Sequence, residues 1–303
     1  MNPKRKRKIL EFIKNPLIIL CFIYFVLYTA LTLSELYFGV FSSFKSHSEL
    51  RRSVFAFPKG WPWEWHWENY AIALSNFDVK VTSANGVYFV GIWGQLWNTA
   101  YYGVVSSLVC ATVTMCVAYA TACYDYKFND VMVGCYWASV IIPIVGNGAS
   151  SMLVFRSLGL YNNMYLFCIV SRFTFLSINF LYFRAIFKNV NGSYREAALL
   201  DGANEFQILV NIMIPQAMHL FVVVFFLGVM GLWDEYTSPL LYFPSYPTIA
   251  VGLYRLNLSV ETAVSSATVK LAACIVTSIP TMIFYFFFRK KLIVDVSLEG
   301  VKE

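Results

Sequence analysis

The chain is expected to be an all-α integral membrane protein with six transmembrane helices. Three observations predict this. Of its 303 residues, 58% are hydrophobic and only 13% charged, against about 45–50% and about 25% in soluble domains. The mean hydropathy of +0.60 reflects more apolar surface than a soluble core of this size can bury, so lipid must act as solvent. The apolar residues also fall into six runs, each near the roughly 20 residues needed to cross a hydrocarbon layer of about 30 Å.

In chain order, a basic N-terminus (1–15) precedes a first span at 16–41. That run is too long for a signal-peptide core and lacks a small-residue cleavage site, so it is expected to be retained. A long external segment, 42–95, follows. The remaining five spans, at 96–123, 131–155, 164–183, 218–243 and 263–288, make up a membrane core of 96–288 that contains a polar loop at 193–215. A tail, 289–303, ends the chain. The third span holds Pro143, Gly146 and Gly148, which predicts a kink or local unwinding there. Helix breakers are tolerated at depth where protein or a wet cavity satisfies the freed backbone groups.

Charge sets the orientation. Lys4, Arg5, Lys6, Arg7 and Lys8 precede the first run, and Arg289, Lys290 and Lys291 follow the last. Basic clusters at span ends mark cytoplasmic flanks, so both termini and the connections 124–130 and 184–216 are expected inside. Lys45, Arg51, Arg52, Lys59, Lys80, Arg156 and Arg255 fall outside, mostly in the one long external segment, and long loops cross largely regardless of charge. The net charge of +6 is thus placed at span ends, which argues against a nucleic-acid partner.

In the external segment, Trp61, Trp63, Trp65 and Trp67 alternate with Pro62, Glu64 and His66, so four indoles share one side if the stretch is extended. Such a row suits a sugar-stacking or protein-docking surface, or a headgroup-level anchor. Of the seven cysteines, none shows a C-x-x-C or His-paired spacing, which predicts neither a disulfide framework nor a zinc site.

The polar segment between spans four and five carries the most information. Ser193 and Glu196 have capping-box spacing, so a helix is expected to start there and to continue through Ala197, Ala198, Leu199 and Leu200. Gly202 can take the positive φ that ends a helix, and Asn204 offers a second N-cap. Phe206, Leu209, Val210 and Met213 continue at helical spacing before Pro215. The expectation is two short helices joined at a Gly-centred turn, with Glu196 either bonded to a basic partner or serving its own helix cap.

Glu196-Ala197-Ala198, then Asp201-Gly202-Ala203, then Ile212 and Pro215 match the EAA-x3-G-x9-I-x-L-P pattern except that Ile214 stands where Leu is usual. The segment resembles the coupling loop of permease subunits of binding-protein-dependent ATP-binding-cassette importers, specifically the carbohydrate-uptake type. Weaker matches follow in order: Glu68-Asn69-Tyr70, Asn98-Thr99, Leu158-Gly159-Leu160 with Asn162, Trp233-Asp234-Glu235-Tyr236 and Gly300-Val301-Lys302. Asp234 replaces the usual Asn. The resemblance implies a five-helix type I permease core plus an N-terminal helix, in a bacterial cytoplasmic membrane. It implies a second homologous permease, two cytoplasmic ATPase subunits and an external solute-binding protein as partners. ATP and Mg would sit on the ATPase subunits, with no cofactor or metal on this chain. Glu196, Ala197, Ala198, Asp201, Gly202, Ile212 and Pro215 would be the ATPase-coupling residues.

Charged side chains within spans mark cavities or paired sites. Trp233, Asp234, Glu235 and Tyr236 are candidates for the substrate path, since an aromatic ring covers a sugar face and a carboxylate accepts hydroxyl hydrogen bonds. Pairing with a partner subunit, or nearness to the external interface, fits the two acids as well. Arg172 and Lys270 are expected either to pair with these acids or to snorkel. No Walker-type, H-E-x-x-H or G-x-S-x-G motif occurs, so the chain is expected not to be an enzyme. The rival readings are an importer of peptide or polyol, and a secondary transporter using Asp234 and Glu235 as a proton relay.

Overall fold

The computed structural model describes residues 16–83, 86–124, 126–142, 146, 148–190, 192–261 and 264–293. It is mostly helical. Among the described residues, four helices are long and apolar enough to cross a membrane: Pro16–Ser43, Ile92–Cys123, Glu205–Trp233 and Ala267–Arg289. The chain divides into two compact units, Met1–Asn76 with Leu256–Val276, and Phe77–Arg255 with Thr277–Glu303.

In the first unit, α1 (Pro16–Ser43) buries only Ser42 and Ser43 and exposes apolar side chains all round. A helix of that kind belongs in lipid. Its C-terminal end is held by Asn69, on α3 (Glu68–Ser75), whose Nδ2 donates to the carbonyls of Ser43 and Lys45 at 2.7 and 3.0 Å. Between them lies α2 (His47–Arg52), capped by Ser46. Lys45 is buried, and its Nζ donates to the carbonyls of Ser53 and Val54.

The tryptophan stretch is not extended. Glu64 N–H donates to the Trp61 carbonyl at 2.8 Å and Trp67 N–H to that of Trp65, closing turns. The four indoles therefore take different partners. Trp65 packs on Phe41, Phe44 and Phe57, and Trp67 on Phe44 and Tyr70. Trp61 and Trp63 stack on each other at 5.2 Å and remain exposed.

In the second unit, an antiparallel hairpin of β1 (Val79–Ser83) and β2 (Gly86–Val90), in register Val79 to Val90, amends the all-helical expectation. It leads into α4 (Ile92–Cys123), which starts four residues earlier than hydropathy suggests. The third apolar run forms α5 (Asn129–Ile141) and α6 (Gly148–Ser157), interrupted as expected. Gly146 has φ +79°, and Pro143 lies outside the described residues.

Two runs expected to be continuous are broken. The fourth splits into α7 (Met164–Val170) and α8 (Ile178–Asn189), with residues 171–177 non-helical. Hydroxyls satisfy the freed backbone: Thr114 Oγ1 donates to the Thr174 carbonyl, and Thr174 Oγ1 accepts from Leu176 N–H. The fifth ends at Trp233 and resumes as α12 (Thr237–Tyr242). Pro239 explains that break, because in a continuous helix its ring would clash with the carbonyl of Glu235.

Between the fourth and fifth runs lie α9 (Gly192–Leu200), α10 (Glu205–Ile208) and a π-helical turn, Leu209–Met213, that passes directly into α11 (Ile214–Trp233). Helices α13 (Ile249–Leu258) and α14 (Ala267–Ile293) complete the chain. One core joins α4, α5, α8 and α11 through Ala111, Tyr119, Tyr136, Phe180, Phe183 and Ala217. A second gathers Tyr102, Phe167 and Phe243.

Candidate functional site

The polar loop has the turn at Gly202 and the cap at Asn204 that its residues predict, and its geometry there is tight. α9 ends in a Schellman motif: Ala203 N–H reaches the Ala198 carbonyl at 2.9 Å, and Gly202 N–H reaches that of Leu199 at 3.1 Å. Gly202 has φ +84°, a conformation that costs other residues about 1–2 kcal/mol. Asn204 caps α10 and forms a reciprocal capping box with Gln207. The side chain of Ser193 lies outside the described ones, so the capping box expected with Glu196 does too.

The second short helix does not stop before Pro215. It runs through the π turn, where Ile214 N–H bonds the Leu209 carbonyl, and Pro215 sits in the first turn of α11. Inside a continuous helix a proline removes one backbone bond and crowds the preceding turn, and the π turn stands where that disruption falls. The loop is thus a direct extension of a membrane-length helix.

Glu196, Ala197, Asp201, Gly202 and Pro215 are exposed, while Ala198 and Ile212 are half-buried. Among the described residues no hydrogen bond reaches the Glu196 carboxylate, which borders a cavity of about 350 Å³ with Arg195, Lys188 and Phe187. Leu200 and Phe206 stand 90% and 72% exposed at the turn. Read in the sequence only as helix formers, they give the loop an apolar tip.

A clamp absent from the sequence reading locks the loop. Arg195 on α9 meets Glu205 on α10 at 2.6 Å. The other carboxylate oxygen of Glu205 accepts from the Tyr124 hydroxyl at 2.6 Å, just past the end of α4. Arg195 also lies 4.7 Å over the Tyr124 ring.

The second candidate group lies where the broken runs meet. Glu235 accepts from the Tyr102 hydroxyl at 3.0 Å and from Ser238 N–H at 2.8 Å. Arg172, in the non-helical stretch 171–177, donates through Nη2 to the same Tyr102 hydroxyl at 3.0 Å. The expected pairing of Arg172 with an acid is therefore indirect, through one phenol. Lys270 makes no such link and donates to the Asn257 carbonyl. Trp233 donates to the Thr277 carbonyl at 3.4 Å, Tyr236 stacks on Tyr254 at 4.6 Å, and Asp234 is exposed. Of the four residues expected in the substrate path, only Glu235 is drawn into this polar bridge.

A model of the family described as binding-protein-dependent transport system inner membrane component matches residues 16–294. The chain belongs to this family. It is therefore the membrane-embedded component of such a transport system. It is 26% identical over 295 residues to a probable starch degradation products transport system permease protein of Thermoanaerobacterium thermosulfurigenes, covering 92% of this chain and 94% of that one. It is 25% identical to a multiple sugar-binding transport system permease protein of Streptococcus mutans, over 90% and 92% of the two chains. A chain from the crystal structure of a bacterial transporter involved in import of the acidic polysaccharide alginate superimposes with a TM-score of 0.70 at 21% identity. It covers 90% of this chain and 95% of that one, and shares its fold.

The weaker sequence matches of this inner membrane component have structural roles. Asn98 donates to the Pro247 carbonyl, and Thr99 accepts from Ile249 N–H, stitching the start of α4 to the segment before α13. Asn162, at φ +59°, exchanges two hydrogen bonds with Ser245 and donates its N–H to the Tyr242 carbonyl. The Gly300-Val301-Lys302 tail lies outside the described residues.

Proposed function

We propose that this chain is the permease subunit of an ATP-driven importer of a sugar or oligosaccharide, forming half of the translocation pathway. In this reading it crosses the bacterial cytoplasmic membrane six times, with both termini cytoplasmic. Beside it stand a homologous permease, two ATPase subunits that carry ATP and Mg, and an external solute-binding protein. The sugar cargo is supported by the starch-product and multiple-sugar systems of its relatives, and by maltose/maltodextrin permeases such as that of Photorhabdus laumondii at 24% identity.

One observation carries the coupling role of Glu196, Ala197, Ala198, Asp201, Gly202, Ile212 and Pro215. The loop that bears them is exposed, yet it is clamped to the end of α4 and continuous with α11. A push on its tip must therefore move two membrane-length helices rather than flex a tether. The small alanines let another surface approach closely, and the exposed Glu196 presents a carboxylate to a basic partner.

The test is the double substitution Glu196→Ala with Gly202→Val in the assembled transporter in proteoliposomes. ATP hydrolysis should persist while sugar uptake is lost, with the subunit still in the membrane. Normal coupled uptake by the double variant would defeat the reading.

A further inference from the structure

The one charged residue in α1 is Glu35. Lys14 and Glu35 bracket an uncharged run of about 20 residues, the length that crosses a hydrocarbon layer of about 30 Å. α1 nevertheless continues to Ser43. Tyr37 and Phe38 follow Glu35 within a turn, about 3–5 Å beyond the hydrocarbon edge and so at headgroup depth.

The segment after α2 folds back onto that level. Phe38 meets Phe55 at 6.0 Å between ring centroids, Phe41 meets Phe57 at 4.4 Å, and the Tyr37 hydroxyl donates to the Phe55 carbonyl. Trp65, packed on Phe41 and Phe57, pins the next turn by donating its indole N–H to the Gly60 carbonyl. Held this way, Phe55, Phe57, Trp61 and Trp63 remain between 53% and 72% exposed, continuing the apolar surface of α1. The indoles divide by role. Trp65 and Trp67 donate their N–H groups to carbonyls of the segment, whereas among the described residues no hydrogen bond reaches the indole N–H of Trp61 or Trp63. An exposed ring with a spare donor suits the boundary between lipid chains and headgroups. Charge agrees with this. The two carboxylates of residues 44–67, Glu49 and Glu64, accept from the backbone N–H groups of Lys59 and Trp61. Arg51, Arg52 and Lys59 are exposed, and among the described residues no hydrogen bond or ion pair reaches their side chains.

We propose that Phe55, Phe57, Trp61 and Trp63 form a phospholipid-binding collar at the end of α1, seated among headgroups and glycerol esters. Arg51, Arg52 and Lys59 supply the cations for lipid phosphates. The occupant is lipid because the patch is continuous with a helix that exposes apolar side chains all round, and because the unpaired charge beside it complements phosphate. The collar fixes the depth of α1 in the bilayer and does so whatever the cargo.

The experiment uses the complete transporter in vesicles of phosphatidylcholine and phosphatidylglycerol, with one or the other lipid radiolabelled. In separate variants, photoreactive p-benzoylphenylalanine replaces Trp61 or Trp63, whose exposed rings leave room for it. Illumination should attach phospholipid to this chain from both positions. Combining Arg51→Gln, Arg52→Gln and Lys59→Gln should lower the phosphatidylglycerol captured, relative to phosphatidylcholine, at least about twofold. A second measurement needs no photoreactive residue, since lipid brominated near the glycerol end of its chains quenches indole fluorescence on contact. Trp61→Phe with Trp63→Phe should remove part of that quenching, and lipid brominated at the chain ends should show no such difference. Cross-links to another subunit in place of lipid, no cross-link at all, or quenching unchanged by the double substitution would each overturn the proposal. An unaltered lipid ratio would overturn the role of the three cations. The sugar-importer reading stands or falls by uptake and is untouched by these outcomes.

Discussion

Arg195 and Glu205 stand on opposite arms of the Gly202 turn and meet at 2.6 Å, while the second oxygen of Glu205 takes the Tyr124 hydroxyl at the end of α4. One carboxylate therefore ties both arms of the loop to a helix 81 residues earlier in the chain. The pair is partly exposed, so its contribution to stability is small, about 0–1 kcal/mol. Its importance is geometric: it joins the loop, already continuous with α11, to the end of α4. Glu205→Gln should leave the unfolding midpoint within about 2–4 °C of native, yet raise the ATP hydrolysed per solute transported several-fold in proteoliposomes. An unchanged ratio would show that the clamp does not transmit force.

Gly202 makes a different prediction, because its constraint is conformational. At φ +84° the Schellman turn excludes a β-branched side chain, although a Cβ there would have open space around it. Gly202→Val should destabilise the loop by at least about 1–2 kcal/mol, with Gly202→Asn costing less because Asn tolerates the left-handed region. Protease sensitivity of the 193–215 segment measures this, and equal resistance of the Val and Asn variants would refute it.

Tyr102 is fully buried between Arg172 and Glu235, accepting from one and donating to the other. Tyr102→Phe keeps the ring and its packing on Phe243 but removes both bonds at once. Leaving buried polar partners unsatisfied costs about 1–3 kcal/mol, more for charged groups. Thermal unfolding in detergent should drop by several degrees, and the double variant Tyr102→Phe with Glu235→Gln should recover part of the loss. No change in the single variant would mean that water replaces the phenol.

What was legible in the sequence was local. The turn at Gly202 and the Asn204 cap depend on residues a few positions apart, and both stand where spacing puts them. Long apolar runs marked α1, α4, α11 and α14 because lipid burial needs only composition. Hydropathy is blind to backbone path, so the breaks at 171–177 and 234–236 looked like continuous span; hydroxyls from Thr114 and Thr174 and the ring of Pro239 decide them. Alternation misled at Trp61–Trp67, because turn hydrogen bonds replaced the extended backbone that the pattern assumes. The clamp on Tyr124 and the phenol bridge through Tyr102 join residues dozens of positions apart, and no spacing rule reaches that far.

Leu200 and Phe206 flank the turn at 90% and 72% exposure. Their side chains touch little within this subunit, so Leu200→Glu or Phe206→Glu should change its own stability by no more than about 0.5 kcal/mol. In an assembled transporter the same residues would be buried against the ATPase, each contributing about 1.5–3 kcal/mol of apolar burial. A glutamate at either place loses that burial and adds a desolvation cost. Co-purification of the ATPase subunits with the tagged permease should therefore fall at least about tenfold, whereas Val260→Glu, equally exposed but on the other compact unit, should leave it unchanged. Full ATPase recovery with Leu200→Glu and Phe206→Glu combined would place the docking surface elsewhere on the chain.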